Sequence, residues 1–154
     1  MVDSLDLAII RLLSQNGRMP TGEIARHLEV TNPTVRSRLK TLVSSGVLKV
    51  AALLDFFKIE KLAVALVALT VEKHQELDAK IEEISQLDQV HWAAVVSGRY
   101  DIIVEVISSH GMTGLYQFLT VDLPKVGGIQ SSESFIVMTA KKKWILLHEK
   151  MKDW

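Results

Sequence analysis

The stretch RMPTGEIARHLEVTNPTVRSRLKTLVSSGVLKV, residues 18–50, decides the fold of the N-terminal part of this chain. It contains two short segments of helical periodicity, and the apolar residues of each segment fall on one side. These residues are Ile24, Ala25 and Leu28 in the first segment and Val35, Leu39 and Leu42 in the second. The two apolar stripes can pack together, and residues 47–50 can form a small wing. This is the layout of a winged helix-turn-helix, a motif that binds DNA.

The ends of the second helix are specified locally. Thr31 or Asn32 can cap its first turn through a side-chain oxygen, and Pro33 is tolerated there because that turn does not need its missing N–H. Gly46 can close the helix in a left-handed conformation. A preceding helix over residues 4–15 supplies the third wall of the predicted N-terminal core.

The face of the second helix opposite its apolar stripe carries the residue types that a DNA major groove requires. Small hydroxyl side chains can hydrogen-bond to base edges, and cations can contact the phosphates on either side. The predicted DNA-binding set is Thr34, Ser37 and Thr41 for bases, Arg36, Arg38 and Lys40 for phosphates, and Thr31 and Asn32 at the helix start. The alternative is a charged, solvated helix face in a small domain that binds protein.

Charge is distributed unevenly along the chain, although the formal net charge is zero. Residues 18–50 hold six Lys+Arg against two Asp+Glu, whereas residues 61–140 hold five against ten. Positive charge therefore lies on the predicted DNA-binding segment. Because affinity for DNA grows with the number of phosphates neutralised, we expect two or more copies to bind together.

The composition narrows the class of protein. With 154 residues, 48% of them hydrophobic, the chain can bury one ordinary core or two small ones. Cysteine is absent, which excludes disulfides and thiolate metal sites and is typical of the reducing cytoplasm. The apolar run 62–71 is too short to span a bilayer, and no basic-then-apolar leader is visible, so we expect a cytoplasmic protein without a membrane segment. The histidines lack ligand spacing and no catalytic motif appears, so we assign no metal, no cofactor and no enzyme activity.

After a connection without clear period, residues 51–61, the pattern changes to that of an α+β domain. Four strands and two helices are predicted, the second helix being stopped by Pro124. The strands cover 62–71, 90–97, 102–108 and 129–139, and the helices cover 75–87 and 112–123. The order strand, helix, strand, strand, helix, strand is the βαββαβ order of a ferredoxin-like domain. The predicted domains are 1–50, a linker over 51–61, the ferredoxin-like domain over 62–140 and a basic tail over 141–154.

Both faces of the predicted sheet are apolar. The runs LAVALVAL (62–69), WAAVV (92–96) and IIVEVI (102–107) are apolar at nearly every position, but two helices can cover only one face. The simplest cover for the second face is the same face of a second chain, which gives a two-fold dimer with Trp92 in the core or at the interface. Such a dimer places two recognition helices on half-sites about 34 Å apart, or a multiple of that distance.

Motifs in both halves of the chain resemble those of the Lrp/AsnC, or feast/famine, transcription regulators over residues 2 to about 140. The matching segments are VDSLDLAIIRLL (2–13), NGR (16–18), EIA (23–25), TNPTVRSRLKTL (31–42), GVL (46–48), VSGRYD (96–101) and GIQSSES (128–134). The resemblance implies a winged helix-turn-helix joined to a ferredoxin-like effector and oligomerisation domain, the fold that periodicity also predicts. It further implies a regulator whose dimers assemble into tetramers, octamers or discs and bind an amino acid where dimers meet.

In the family, the G-x-Y-D turn contributes to the effector pocket. Carried over to this chain, the candidate effector residues are Gly98, Arg99, Tyr100 and Asp101 in the turn and Ser132 and Ser134 on the fourth strand. Exposed N–H groups of the turn can hold a carboxylate, and Asp101 can hold an ammonium group. Arg99 favours an acidic effector or makes a contact between dimers. The alternative is a hairpin turn in which Asp101 caps its own backbone.

Two other functions remain open. Sirohaem decarboxylases resemble Lrp-type regulators, but they look rich in arginine and histidine just after the wing, whereas this chain has KVAALLDFFK at 49–58, with few cations for a tetrapyrrole. The second open function is that of a DNA-silent sensor, which binds an amino acid and co-assembles with a paralogue but does not itself bind DNA.

The tail has an unusual composition. Lys141 to Lys143 are either solvated or supplement DNA contact. The residues that follow can form a helical stripe of Trp144, Leu147, Met151 and Trp154, or a fifth strand over 143–147.

Overall fold

A computed structural model describes residues 2–146, which divide into two compact units, one up to Ala52 and one from Leu53 onward. In its described residues, the N-terminal unit folds into α1 (Ser4–Gln15), α2 (Thr21–His27) and α3 (Asn32–Ser44). The apolar stripes of the three helices meet in one core. Its fully buried members are Ile9, Ile24, Ala25 and Val35. This is the helical arrangement predicted from the sequence.

Local contacts mark the ends of α1 and α3. Asp3 caps α1, Thr31 rather than Asn32 caps α3, and Gly46 follows α3 with a left-handed φ of +74°. The predicted wing over residues 47–50 forms no strand. The N–H of Leu48 donates a hydrogen bond to the carbonyl of Leu42 in α3, 3.0 Å long.

The C-terminal unit has the predicted ferredoxin-like topology. The strands β1 (Ala63–Val71), β2 (Val90–Val95), β3 (Ile102–Ser108) and β4 (Ile129–Ile136) form an antiparallel sheet in the order β2-β3-β1-β4. The helices are α4 (Leu77–Ser85), which a 3₁₀ turn over His74–Glu76 precedes, and α5 (Gly111–Gln117). Alternate residues of the strands pack with both helices in the main core.

The second of these helices does not stop at Pro124, which is a correction to the prediction. The backbone after α5 continues as a π-helix over Phe118–Asp122 and a 3₁₀ turn over Leu123–Val126. Pro124 lies in the first turn of that 3₁₀ segment, where no N–H donor is required. The helical backbone ends instead at Gly127, whose φ is +65°.

The second face of the sheet is covered in part by this chain itself. Phe56, Val64, Ile107 and Ile145 form a separate buried cluster, and Leu54 pairs with Ile145 as an antiparallel bridge with two hydrogen bonds of 3.0 Å. The expectation that a second chain covers this face is therefore wrong for this part. The connection, which contains a 3₁₀ turn over Phe56–Lys58, and the residues after β4 provide the cover.

The remainder of the second face stays accessible. Strand register places Trp92, Glu105, Leu66 and Phe135 in one row across β2, β3, β1 and β4. Trp92 is 40% exposed and Phe135 is 48% exposed, at the two ends of the row. The sheet therefore leaves large apolar side chains uncovered at both of its edges.

A buried carboxylate lies in the middle of that row. Glu105 is 1% exposed, and its two oxygens lie 2.5 Å from Lys143 Nζ and 2.7 Å from His91 Nδ1. Burial alone would raise the pKa of Glu105, but the hydrogen bonds from Lys143 and His91 hold this pKa below its usual value. We call Glu105, His91 and Lys143 the buried ionic cluster.

Within residues 2–146, no helix is long and apolar enough to cross a membrane. The predicted helical stripe through Leu147, Met151 and Trp154 falls outside the described residues. Ile145 takes part in an isolated bridge and not in the continuous fifth strand that was the other prediction for this segment.

Candidate DNA-binding and effector sites

The outer face of α3 exposes the side chains expected to contact DNA. Arg36, Ser37, Lys40 and Thr41 are exposed, while Val35 of the same helix is buried in the core. This separation follows from the helical period of 3.6 residues, since the apolar stripe fixes which side faces outward. No acidic residue occurs in α3. The outer face therefore offers two cations and two hydroxyl groups without a competing carboxylate on the helix.

The threonines at the start of α3 are used by the helix itself. Thr31 Oγ1 accepts a hydrogen bond from the N–H of Thr34 at 3.3 Å and lies 2.8 Å from Thr34 Oγ1. Thr41 Oγ1 donates to the carbonyl of Ser37 at 3.2 Å, which leaves its oxygen able to accept. Asn32 is exposed in the first turn. The hydroxyl of Ser37 is thus the best placed of the predicted base contacts.

Arg38 is held by carboxylates of the same unit, and its contact with phosphate stays a prediction. Its Nη1 lies 2.5 Å from Asp3 Oδ2 and 3.3 Å from both oxygens of Asp6. The N–H of Asp6 and then the guanidinium of Arg38 hold the pKa of Asp3 below its usual value, and the same ion pair raises the pKa of Arg38. Spacing along α3 gives no sign of this contact, because both partners precede Arg38 by more than thirty residues.

The turn between β2 and β3 is shaped by Gly98 and Asp101. Gly98 has a φ of +136°, which favours glycine, although a Cβ there would meet no neighbour. Asp101 Oδ2 accepts a hydrogen bond from the N–H of Val71 at 2.9 Å, and its Oδ1 lies 3.1 Å from His74 Nε2. Asp101 therefore caps the end of a neighbouring strand, β1. The alternative prediction is that Asp101 caps the backbone of its own turn. Asp101 does cap backbone, but the capped N–H belongs to Val71 of β1 and not to the turn.

Tyr100 reaches from this turn to β4, where its hydroxyl donates to the carboxylate of Glu133. The carboxylate raises the pKa of Tyr100, and the guanidinium carbon of Arg99 lies 5.4 Å from the centre of the tyrosine ring, a cation–π arrangement. Sequence reasoning missed Glu133, although it lies inside the GIQSSES motif. Strand alternation is the signal that separates it from the serines on each side.

Ser132 and Ser134 lie on the opposite face of β4 from Glu133, because successive side chains of a strand alternate between faces. Ser132 lines a cleft of about 280 Å³. The other residues around this cleft are Leu119, Leu123, Pro124, Gly127, Ile129, Gln130 and Ser131. The structure thus divides the predicted effector residues into two groups, with the tyrosine on one face of β4 and the serines on the other.

Among the described residues, no group of three or more histidine, aspartate or glutamate side chains is placed to hold a metal ion.

Comparison with known proteins matches both halves of the chain. A winged helix-turn-helix DNA-binding profile matches residues 2–49, and the profile of the Lrp/AsnC ligand binding domain matches residues 64–144. An uncharacterised HTH-type transcriptional regulator of Pyrococcus abyssi is 36% identical over 144 residues, which are 93% of this chain and 89% of that protein. The regulatory protein AsnC of Haemophilus influenzae is 26% identical over 138 residues, or 89% and 91% of the two chains.

Solved structures show the same fold. AsnC of E. coli superposes with a TM-score of 0.74 at 21% identity, over 97% of this chain and 99% of that one. A transcriptional regulator of Neisseria meningitidis, solved in complex with L-Met, gives 0.75 at 21% identity, over 93% and 94%. The named relatives are transcriptional regulators. The chain belongs to the Lrp/AsnC family of transcriptional regulators, with an N-terminal helix-turn-helix for DNA and a C-terminal ligand-binding domain.

Proposed function

We propose that this regulator recognises specific DNA sites in the cytoplasm through the outer face of α3, as a homo-oligomer whose assembly responds to an amino acid. The observation that carries the proposal is the exposure of Arg36, Ser37, Lys40 and Thr41 on one side of a capped helix. The opposite side of that helix is buried, so its orientation in the unit is fixed.

The four exposed residues form two parallel rows along α3. Arg36 and Lys40 are four residues apart and share one row, and Ser37 and Thr41 form the next row by the same spacing. A helix in the major groove meets a phosphate strand along one flank and base edges along its centre. We assign the cation row to phosphates and the hydroxyl row to bases.

For the effector, we place the ammonium group of an amino acid at Glu133 and the Tyr100 hydroxyl. Asp101 is a weaker candidate, because its carboxylate is already used by the Val71 N–H and by His74. The turn N–H groups remain the proposed site for the carboxylate of the ligand. The match to a ligand-binding domain and the L-Met complex of the Neisseria meningitidis regulator support an amino acid as the class of effector.

For assembly, we propose a two-fold dimer through the accessible part of the second sheet face. Trp92 and Phe135 are large and apolar, and each is exposed by 40% or more. Burying them against a second copy would remove apolar surface from water and bring two copies of α3 to one DNA molecule. Dimers would then assemble further into tetramers or octamers, and the effector would change that assembly.

The test is binding of the purified protein to a pool of genomic DNA fragments at two salt concentrations, with and without a mixture of amino acids. We expect enrichment of two-fold symmetric sites with half-sites separated by whole helical turns, and a change in that enrichment when the mixture is present. Weak association that disappears at the higher salt would contradict site recognition. A change in assembly size with amino acids but without DNA binding would indicate the DNA-silent sensor instead.

Two pairs of variants, each with a matched control, test the residues assigned to base recognition and to effector binding. Ser37→Ala is expected to relax base preference at one operator position, whereas Ser44→Ala at the far end of α3 is the matched control and should leave it unchanged. Glu133→Gln is expected to weaken the response to the effector, with Glu82→Gln, at an exposed glutamate of α4, as its control. Equal responses within either pair would contradict the corresponding assignment.

A further inference from the structure

We propose that Arg38 is a positioning residue: the carboxylates of Asp3 and Asp6 hold its guanidinium, and this contact sets the orientation of α3 that base recognition requires. This inference rests on the proposed DNA recognition by α3. It assigns to the ion pair, which we call the α1–α3 clamp, a role that is separate from contact with phosphate.

The clamp is anchored because its carboxylates also cap α1. Asp3 accepts a hydrogen bond from the N–H of Asp6 at 3.0 Å, and Asp6 accepts one from the N–H of Asp3 at 3.1 Å. The side chain of Asp6 is only 7% exposed. Two carboxylates fixed in a capping box form a rigid acceptor pair, so Arg38 binds to a defined point at the start of α1.

The position of Arg38 around α3 agrees with this role. At about 100° per residue, Arg38 lies about 40° from the buried Leu42 and about 160° from the exposed Lys40. Arg38 therefore flanks the buried stripe, whereas the cation row of Arg36 and Lys40 faces outward. A side chain on that flank reaches the other helices of its own unit more directly than it reaches a DNA strand.

The charge balance at the clamp also disfavours a phosphate contact. One guanidinium faces two carboxylates, so the local net charge is negative and a nearby phosphate would be repelled. The side chain of Asp3 is 46% exposed, so this negative charge is not hidden from an approaching anion. Neutralising a phosphate would require Arg38 to leave both of its partners.

The experiment uses five full-length variants and two DNA duplexes. Asp3→Ser removes the carboxylate but keeps a good N-cap for α1, because a serine hydroxyl accepts the same backbone hydrogen bond. The other variants are Arg38→Gln, Arg38→Lys, the double variant Asp3→Ser with Arg38→Gln, and Arg36→Gln as the matched arginine control. Binding to an operator fragment and to an unrelated duplex is measured over a series of salt concentrations, after far-UV circular dichroism shows that each variant is folded.

We expect Arg36→Gln to weaken binding to both duplexes and to lower the salt slope by about one. Arg38→Gln should leave the slope unchanged and lower the ratio of operator to unrelated affinity about tenfold, because Ser37 and Thr41 lose their alignment with bases. Asp3→Ser should lower the same ratio. The double variant should be no worse than Arg38→Gln, since both changes break one contact. Arg38→Lys, which keeps the charge, should restore part of the ratio.

The inference would be overturned if Arg38→Gln lowered the salt slope by about one, as Arg36→Gln does. It would also fail if Asp3→Ser strengthened binding to both duplexes equally, which is the result expected when a carboxylate competes with phosphate for Arg38. Wild-type protein that binds neither duplex would instead contradict the proposed function, and the clamp's role in recognition with it. If the wild type binds the operator and Arg36→Gln weakens binding to both duplexes, the proposed function holds, and a failure of the Arg38 and Asp3 predictions then counts against the clamp alone.

Discussion

The two units of this regulator place their charged side chains differently. In the N-terminal unit, Arg38 pairs with the half-exposed Asp3 at a helix start, and the buried Asp6, its second partner, also accepts the N–H of Asp3. In the C-terminal unit, Glu105 is buried in the middle of a sheet and depends on Lys143 and His91. An exposed pair is screened by water and is easily replaced, whereas a buried carboxylate that loses its partner keeps the full cost of desolvation. Burial, more than the number of partners, therefore decides how much a lost contact destabilises the protein.

The largest effect is expected from Lys143→Met. This change removes the ammonium partner of Glu105 and should lower the free energy of unfolding by about 3 kcal/mol. Urea denaturation followed by tryptophan fluorescence measures it. Lys141→Met, at an exposed lysine of the same segment, is the matched control and should shift the midpoint little. Asp3→Ser, which breaks the exposed pair and keeps the cap, should also shift it much less. Equal shifts for Lys143→Met and Asp3→Ser would refute the contrast between the units.

The pH dependence of stability sharpens the same comparison. The pKa of Glu105 is held below its usual value of 4.5, so the contribution of the buried ionic cluster is present above that pH and is lost as the pH falls through the folded-state pKa. The stability difference between wild type and Lys143→Met should therefore be constant above pH 6 and shrink below pH 4.5. Urea midpoints measured between pH 3 and pH 7 test this. A difference that stays constant down to pH 3 would show that Lys143 acts without an ionised Glu105.

A smaller effect is expected from Gly46→Ala in the N-terminal unit. Gly46 has a left-handed φ, and an added Cβ would meet no neighbouring atom, so the only cost is that of the backbone conformation. The free energy of unfolding should fall by about 1 kcal/mol, as measured by thermal or urea denaturation. Gly17→Ala, at a glycine without positive φ, is the control. A loss of unfolding free energy as large as that expected for Lys143→Met would show that Gly46 has a structural role beyond ending α3.

The smallest effect is expected at Glu29, in the turn between α2 and α3. Its φ of 55° is left-handed, which is unfavourable for a residue with a Cβ. Glu29→Gly removes this strain but also makes the unfolded chain more flexible, so the net stabilisation should be at most about 1 kcal/mol. The melting temperature should rise slightly or stay unchanged. A clear fall would show that the Glu29 side chain contributes contacts that outweigh the strain.

The ends of α1 and α3 could be predicted almost to the residue, because their end signals lie within a few positions of the ends. Asp3, Thr31 and Gly46 act on backbone groups of their own helix or the turn beside it. In the C-terminal unit, the number and order of strands could be predicted, but some ends could not. β2 ends at Val95 because its partner, β3, begins at Ile102, and no local residue marks that point.

The parts of the sites that escaped prediction depend on contacts between distant segments. Arg38 with Asp3, Tyr100 with Glu133 and Glu105 with Lys143 each join residues more than thirty positions apart. Periodicity shows which side of an element a residue occupies, but it does not show which charged side chain meets it there. Residue type and helical face were therefore predictable for α3, whereas the partner that holds Arg38 was not.

The Leu54–Ile145 bridge joins the first and last described stretches of the C-terminal unit. Because these two stretches already touch, the order of the elements between them does not depend on where the chain is opened. A circular permutant that links Ile145 to Leu54 through a short glycine-serine linker, with new termini between Gly127 and Gly128, should form the same four-stranded sheet. Retention of the near-UV circular dichroism spectrum of the isolated parent unit would show this. The C-terminal unit is in this respect a closed module, suited to insertion into another protein.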